Sequence, residues 1–389
     1  MQRVVTGKAG WQELRKVALK SGVKTIFLIC GDNTFSKSGV AELLDSEFGQ
    51  FEIVRFSWFS ANPTIEMVRD AVVLYNHSGA QWLMAVGGGS AIDIAKCVKA
   101  LAVEPELAAD DQIEATITAG KYPLLQVPFI AVPTTAGSGS EATHFAVVYV
   151  DDKKFSLAHK KLIPDYALLD ASLTASMSPL QAATTGLDAW AQSIEAYWSV
   201  RATAESDRYA LEAFKIIHGA LQAAVGGDRK AQQQMLQGAN LAGKAINISQ
   251  TTAAHAFSYA ITGTYNLPHG HAVWMTLPSL IAYNYHISDD DCQHPAGSDE
   301  IRRRIEQLAD LCGLTQAADL PEHCIKFAAE AGVKVIWHEN GVETIDAIHD
   351  VLMQVNTQRL KNNPRLLVTE DFLHEWLVKI QGGTVRENQ

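Results

Sequence analysis

The segment WLMAVGGGSAIDIAKCVKAL (82–101) decides the architecture. Trp82 to Val86 is a compact apolar run, the mark of a strand buried on both faces of a parallel sheet, and the pattern from Ala91 to about Leu101 is helical. Between them lies Gly87-Gly88-Gly89-Ser90. Glycines at such a strand-to-helix junction let backbone N–H groups approach a phosphate, and the helix start adds the positive end of its dipole. A tight turn calls for glycine on steric grounds as well, so this motif alone leaves a nucleotide site and a plain turn both open. Asp93, one turn into the helix, has its own plain reading as a first-turn carboxylate that favours the dipole.

The alternation extends to either side. Gln12 to Ser21 is helix-like, Lys24 to Cys30 (KTIFLIC) is a second buried-strand run, a helix follows around Ser38 to Phe48, and Phe51 to Phe56 is strand-like. Asn62-Pro63-Thr64 opens a helix from Ile65 to Ser78. Residues 128–133 (PFIAVP) give a further strand that runs into Thr134-Thr135-Ala136-Gly137-Ser138-Gly139-Ser140-Glu141. This βαβ order implies an α/β layer, a doubly wound parallel sheet. Ligands of such sheets bind at the carboxyl ends of the strands, so two glycine- and hydroxyl-rich loops after neighbouring strands carry more weight than either alone.

From about Pro164 the strand signals fade, and Ala-rich helical patterns run to the end: Ala204–Val225, Lys230–Asn247, Ala272–Asn284, Ser298–Leu311, Pro321–Ala331 and Thr344–Val355. The expected organisation is a dinucleotide-binding α/β domain over 1–175 and an all-α helical domain over 176–389. The run Asp289 to Asp291 reads as a solvated acidic loop.

A chain of 389 residues with 47% hydrophobic and 19% charged residues is globular rather than disordered. Its net charge of -11 argues against nucleic acid or an anionic membrane surface as the partner. Cys30, Cys97, Cys292, Cys312 and Cys324 are odd in number and scattered, with no CxxC pair, which implies a reduced setting and no thiolate zinc site. The start MQRVVTGKAGWQEL has neither a basic nor an apolar targeting region, and no apolar run reaches transmembrane length. A soluble, cytoplasmic protein is the expectation.

The stretch SPLQAATTGLDAWAQSIEAY (178–197) reads as a helix with Ser178 and Gln181 as a capping box and Pro179 at the first helical position. Asp188 and Gln192 share one face, four residues apart, amid Leu187, Trp190 and Ile194. An ionised carboxylate there needs a partner, because an unpaired buried charge is very costly. His255 and His269 are candidates. Gly263 and the Asn266-Leu267-Pro268 turn between them fold the chain back, so both imidazoles can converge on Asp188, and one carboxylate with two imidazoles is a common set for a first-row divalent metal. The spacing is not itself a metal signature, and each histidine has a plain reading as a packed or surface residue.

Taken in order, NPT, GGGSxxDxxK (Gly87 to Lys96), PTTAGSGSE, GLDAxxxxIEAY and LPHG resemble the iron-containing (group III) alcohol dehydrogenase family over nearly the whole chain. The resemblance implies an NAD(P)-dependent, metal-assisted alcohol dehydrogenase or aldehyde reductase, dimeric or larger. Gly88, Gly89, Ser90 and Asp93 match the family's pyrophosphate loop, Thr134, Thr135 and Ser138 its second nucleotide-contacting loop, Asn62 its NPT asparagine and Lys154 its ribose-side lysine. Asp32 matches the acidic position that accepts the adenosine ribose, which favours NAD over NADP. Asp188, His255 and His269 match three ligands of Fe(II) or Zn(II), whose task is to polarise the substrate carbonyl while nicotinamide delivers hydride.

Two positions depart from the pattern. Gln192 stands where the fourth ligand is normally histidine, and an amide oxygen is a weaker, harder ligand than imidazole. Tyr259 stands where many members place a second histidine as a proton relay; a tyrosine, whose ordinary pKa is near 10, is a donor rather than a base. Tyr259 and His271 are the candidate relay residues, and for His271 a packed histidine at a helix start is the plain alternative. KAINISQTTAAHAFSY, PHGHAV and IEAYWSVRATAESDRYA are most similar to the family's phosphonoacetaldehyde reductases, which make 2-hydroxyethylphosphonate. Arg201 and Lys244, with Asn247, Ser249, Thr251 and Thr252 as neutral donors, are the candidates for a phosphonate. The alternatives are a dehydrogenase of neutral short-chain alcohols or diols, a lyase like dehydroquinate synthase, and a metal-depleted NAD-binding protein of the same fold.

Overall fold

A computed structural model describes residues 2–109, 112–151, 153–342 and 344–380. The chain divides into two compact units, 1–177 and 178–389. The first contains β1 (Arg3–Thr6), α1 (Gly7–Lys20), β2 (Thr25–Ile29), α2 (Asp32–Lys37), α3 (Val40–Phe48), β3 (Glu52–Phe56), α4 (Ile65–Ser78), β4 (Trp82–Gly87), α5 (Gly89–Leu101), α6 (Ile113–Ala119), β5 (Phe129–Pro133), β6 (Phe145–Val150), β7 (Lys153–Ala158) and β8 (Tyr166–Leu169).

Six strands form one parallel sheet in the order β1-β8-β5-β4-β2-β3, and β6 and β7 pair as a separate antiparallel hairpin. Side chains of a strand alternate between faces. Phe27, Ile29, Leu83, Ala85, Phe129 and Ala131 therefore enter one core, while Ile26, Leu28, Trp82, Met84, Ile130 and Val132 enter the other. Burial on both faces explains the unbroken apolar runs. The strand order reverses between β2 and β4, and in a doubly wound sheet that reversal opens a crevice at the carboxyl ends.

The fading of strands after Pro164 is corrected by β8, which lies beside β5 inside the sheet. At four residues, β1 and β8 are too short for periodicity to register. The helix expected around Ser38–Phe48 is α3, and a further short helix, α2, precedes it, separated at Gly39, whose φ of 81° interrupts the helix.

The second unit is helical: α7 (Pro179–Trp198), α8 (Ala204–Val225), α9 (Arg229–Ser249), α10 (Ala253–Tyr265), α11 (His269–Trp274), α12 (Leu277–Tyr285), α13 (Ser298–Leu311), α14 (Leu320–Glu330), α15 (Ile345–Leu352) and α16 (Thr357–Leu360). At the α7 cap the Ser178 hydroxyl accepts from the Gln181 N–H at 3.2 Å. The single helix expected over Ala272–Asn284 is two, α11 and α12, because Pro278 in the first turn of α12 cannot continue a helix through itself. Gly263 lies inside α10 rather than in a turn; the chain reverses at Asn266, with φ 52°. The acidic run is more than a solvated loop: Asp291 pairs with Arg365 at 2.6 Å and Asp289 accepts from Ser298 at 2.6 Å. Among the described residues, no helix is long and apolar enough to cross a membrane.

Candidate nucleotide edge and metal centre

The carboxyl edge of the sheet gathers the loops read as nucleotide-binding. Gly87 ends β4 with φ 159°, and a Cβ there would stand 2.7 Å from that of Ala91. Its carbonyl accepts from Thr134 N–H at 3.0 Å, which ties the first loop to the second. The loops then run side by side, since a Cβ on Gly88 would lie 3.3 Å from Thr135 Oγ1 and one on Gly89 would lie 3.2 Å from Ser138 Oγ. Side chains on these glycines would fill the space between the loops. Gly89 and Ser90 begin α5, so unpaired N–H groups and the dipole end meet at this spot.

Asn62 precedes α4 with φ 59°. The carbonyl of Pro63 accepts from Tyr149 N–H at 2.9 Å, and Lys154 sits opposite Tyr149 in the hairpin register. Asn62 and Lys154 thus reach the same edge. Asp32 opens α2 and pairs with Arg55 at 2.8 Å, while that guanidinium lies 4.1 Å from the centroid of Phe35. The Asp32 carboxylate and a guanidinium therefore stand together at the start of α2.

Asp93 behaves differently from the expectation that it meets the pyrophosphate. Its carboxylate accepts from Ser140 Oγ at 2.7 Å and from Val147 N–H at 3.1 Å, so it holds the second loop and the hairpin in place. Burial pushes its pKa up, against the opposing charge of Lys96. Lys96, one turn on, donates to Ser140 O, Thr143 Oγ1 and Phe145 O at 2.7, 2.9 and 2.8 Å. Burial brings that ammonium down to about 8. The motif's aspartate and lysine are braces for the second loop and the start of the hairpin.

In the helical unit, α7 presents Asp188 and Gln192 as a buried pair, and Gln192 hydrogen-bonds the carboxylate. His255 on α10 places Nε2 3.1 Å from Asp188 Oδ1, and His269 at the start of α11 places Nε2 3.9 Å from the same oxygen. Ligand atoms of Asp188, His255 and His269 all fall within 4.8 Å of one another. Gly270 makes this possible, because a Cβ there would stand 2.0 Å from Thr184 O. Only glycine lets α11 approach α7 that closely.

Glu195, two turns beyond Asp188 on α7, is fully buried and hydrogen-bonds Nδ1 of His255. Its other oxygen accepts from Thr252 Oγ1 at 2.7 Å and Ala254 N–H at 2.9 Å. A carboxylate behind a ligating imidazole fixes its tautomer and raises its basicity. Burial alone would lower the His255 pKa, but the charge of Glu195 and hydrogen bonds to both carboxylates bring it to about 9. Burial opposes ionisation of Asp188 too, yet the two histidines and Gln192 hold its pKa below the usual range. The two carboxylates require positive charge between them, and either a proton or a divalent cation supplies it. One carboxylate, two imidazoles and a backing carboxylate fit a first-row divalent ion. Glu195 lies in the IEAY motif, and its seven-residue spacing from Asp188 is the signal the sequence carries for it.

Tyr259 stacks on His269, with centroids 5.8 Å apart and planes at 17°. Burial raises its pKa, against the nearby charge of Arg359, so it stays a phenol. The guanidinium of Arg359, on α16, lies 4.7 Å from the Tyr259 centroid and donates a hydrogen bond to it. His271 departs from its expected relay role: its Nε2 is committed to the Lys334 carbonyl at 2.6 Å, and burial lowers its pKa. Arg201 is exposed and hydrogen-bonded to Gln250, and Lys244 lies over Tyr209 at 5.9 Å. The cation standing at Tyr259 is thus Arg359 rather than Arg201 or Lys244, and nothing local in the sequence ties a four-residue helix to a tyrosine on α10.

Comparison with known proteins is consistent with both halves. A family described as iron-containing alcohol dehydrogenase matches residues 1–171, and its C-terminal counterpart, the Fe-containing alcohol dehydrogenase family, C-terminal, matches residues 182–375. The phosphonoacetaldehyde reductase of Streptomyces viridochromogenes is 35% identical over 282 residues, which is 66% of this chain and 71% of that protein. The lactaldehyde reductase of Escherichia coli is 35% identical over 225 residues, 57% of this chain and 58% of that protein's length. Among solved structures, sulfoacetaldehyde reductase from Bifidobacterium kashiwanohense in complex with NAD+ superposes with a TM-score of 0.83 at 27% identity, covering 98% of this chain and 97% of that one.

Proposed function

We propose that this chain, which belongs to the iron-containing alcohol dehydrogenase family, reduces a two-carbon aldehyde bearing an anionic headgroup, phosphonoacetaldehyde, to the primary alcohol with NADH. Membership makes it an oxidoreductase of alcohols and aldehydes with NAD and iron as cofactors. Asp188, His255 and His269 would hold the metal, with Gln192 one turn from Asp188. Gly88, Gly89, Ser90, Thr134, Thr135 and Ser138 would hold the pyrophosphate, with Asn62, Lys154 and Asp32 toward the sugars. When bound, the cation polarises the carbonyl and the nicotinamide supplies hydride.

The chain's own residues do the rest. Glu195 holds the His255 ring in one tautomer, so that Nε2 faces Asp188. The new hydroxyl needs a proton, and Tyr259, kept as a phenol by burial beside His269, would donate it. The observation that carries the substrate reading is the stack Arg359–Tyr259–His269, which sets a fixed positive charge one ring away from a metal-ligating imidazole. Neutral aldehydes have no use for that charge, whereas a phosphonate or sulfonate pairs with guanidinium through charge-assisted hydrogen bonds. The names of the Streptomyces and Bifidobacterium proteins support the same class of substrate.

Steady-state kinetics of Arg359→Ala test this. Loss of a charge-assisted contact worth about 1.5–3 kcal/mol lowers kcat/KM for phosphonoacetaldehyde by about 10- to 100-fold, while lactaldehyde and propanal change by less than about twofold. Equal losses for charged and neutral aldehydes, or a wild-type preference for neutral ones, would remove the phosphonate from the proposal. Metal analysis of protein purified without chelator tests the metal-depleted reading, which requires NAD binding without metal and without turnover.

A further inference from the structure

A second group of potential ligands lies elsewhere in the helical unit. His218 on α8, Cys312 at the C-cap of α13 and His323 on α14 bring one nitrogen or sulfur each to within 4.8 Å of one another. The Nε2 atoms of His218 and His323 face each other at 3.1 Å. Tetrahedral zinc with bonds of about 2.0–2.1 Å to nitrogen and 2.3 Å to sulfur sets its donors about 3.3–3.6 Å apart. The two imidazoles already stand at nearly that separation.

The rings are positioned by stacking. His218 lies against Phe327 at 5.0 Å and 20° and against Trp190 at 5.3 Å and 30°, while His323 stacks on the same Phe327 at 6.1 Å and 28°. This arrangement orients both imidazole edges toward one point. Burial pushes both histidines below their ordinary pKa, which keeps them neutral with a lone pair available. Cys312 is half-buried and not in a disulfide. All three residues are partly open to solvent, so an ion can enter and a water can complete the coordination.

We propose that His218, Cys312 and His323 form a second metal site, selective for a borderline-soft divalent ion such as Zn(II), that ties α8, the end of α13 and α14 together. Two imidazoles and one thiolate select zinc over magnesium or calcium, which prefer oxygen. Binding converts the Cys312 thiol to a thiolate, and its proton leaves to solvent. The site uses none of the residues assigned to the reaction and does not rest on the proposed substrate.

Cobalt titration of the full-length, chelator-stripped protein tests it, because the Asp188 cluster contains no sulfur. A thiolate-to-cobalt charge-transfer band therefore excludes the Asp188 cluster, and its loss in Cys312→Ser assigns it to this site among the five cysteines. The expected result is a band that saturates by two equivalents in the wild-type protein and by one in Asp188→Ala, is bleached by zinc and is absent in Cys312→Ser. Retained NADH turnover by Cys312→Ser shows that the variant is folded, and His323→Gln, expected to weaken the band, serves if it is not. No band at saturating cobalt in the wild-type protein, or a band that survives in Cys312→Ser, overturns the assignment.

Discussion

Two clusters flank the helix α7, and they are held by opposite physics. Asp188 and Glu195 lie seven residues apart, about two turns, and so share one face. Trp190, two positions from Asp188, points to another and stacks on His218. On the first face, orientation comes from charge: a buried carboxylate on each side of His255, further hydrogen-bonded by Thr252 and Ala254. On the second, orientation comes from dispersion and ring stacking, through Phe327 and Trp190, with the histidines kept neutral. Buried charge makes a site that demands a cation. Stacked neutral rings make one that only permits it.

That contrast can be broken most forcefully at Asp188. Asp188→Ala removes a proposed ligand and half of the buried negative charge, and the loss of Lewis-acid stabilisation worth several kcal/mol is expected to lower kcat by at least about 10³-fold. Kinetics together with metal content by elemental analysis check this, and a variant that keeps its metal and turns over normally would mean the carboxylate is structural. Next in size is Glu195→Gln. An amide behind His255 no longer raises its basicity, so metal affinity is expected to fall by about 10- to 100-fold, read by competition with a chromophoric chelator. Unchanged affinity would show that the charge behind His255 is dispensable and that the two clusters differ less than their geometry suggests.

The smallest expected effect is on stability rather than chemistry. Gly270→Ala forces a methyl against the Thr184 carbonyl, and overpacking of this kind costs about 1–3 kcal/mol, visible as a lower Tm in thermal unfolding. The carboxylate cluster depends on that close helix approach. A Tm equal to wild type would show that α11 can retreat from α7 without penalty.

Much of this was readable in advance, for identifiable reasons. The strands β2, β4 and β5 appear as apolar runs because both faces are covered, and the loops that follow them are rich in glycine and hydroxyls because the chain must turn closely there. Asp188 was legible as a carboxylate within an apolar helix. Its backing partner Glu195 sat in plain view two turns along, but only the fold of α10 shows that it meets His255. Arg359 and the trio His218, Cys312 and His323 left no local trace, since each joins residues from separate helices. The expectation of no thiolate zinc site rests on spacing alone, and spacing does not register helices that cross, as at the proposed site of His218, Cys312 and His323.

By itself the sequence determined the element order, the two-part organisation and the residue types available for nucleotide and metal, because periodicity, capping and turn chemistry are local. Only the tertiary structure decided the duties of those residues. It turned Asp93 and Lys96 into braces, committed His271 to the Lys334 carbonyl, and set a guanidinium over Tyr259. The physical reason is that a polar side chain's role follows from the partner within hydrogen-bond reach, and partners tens of residues away are chosen by packing.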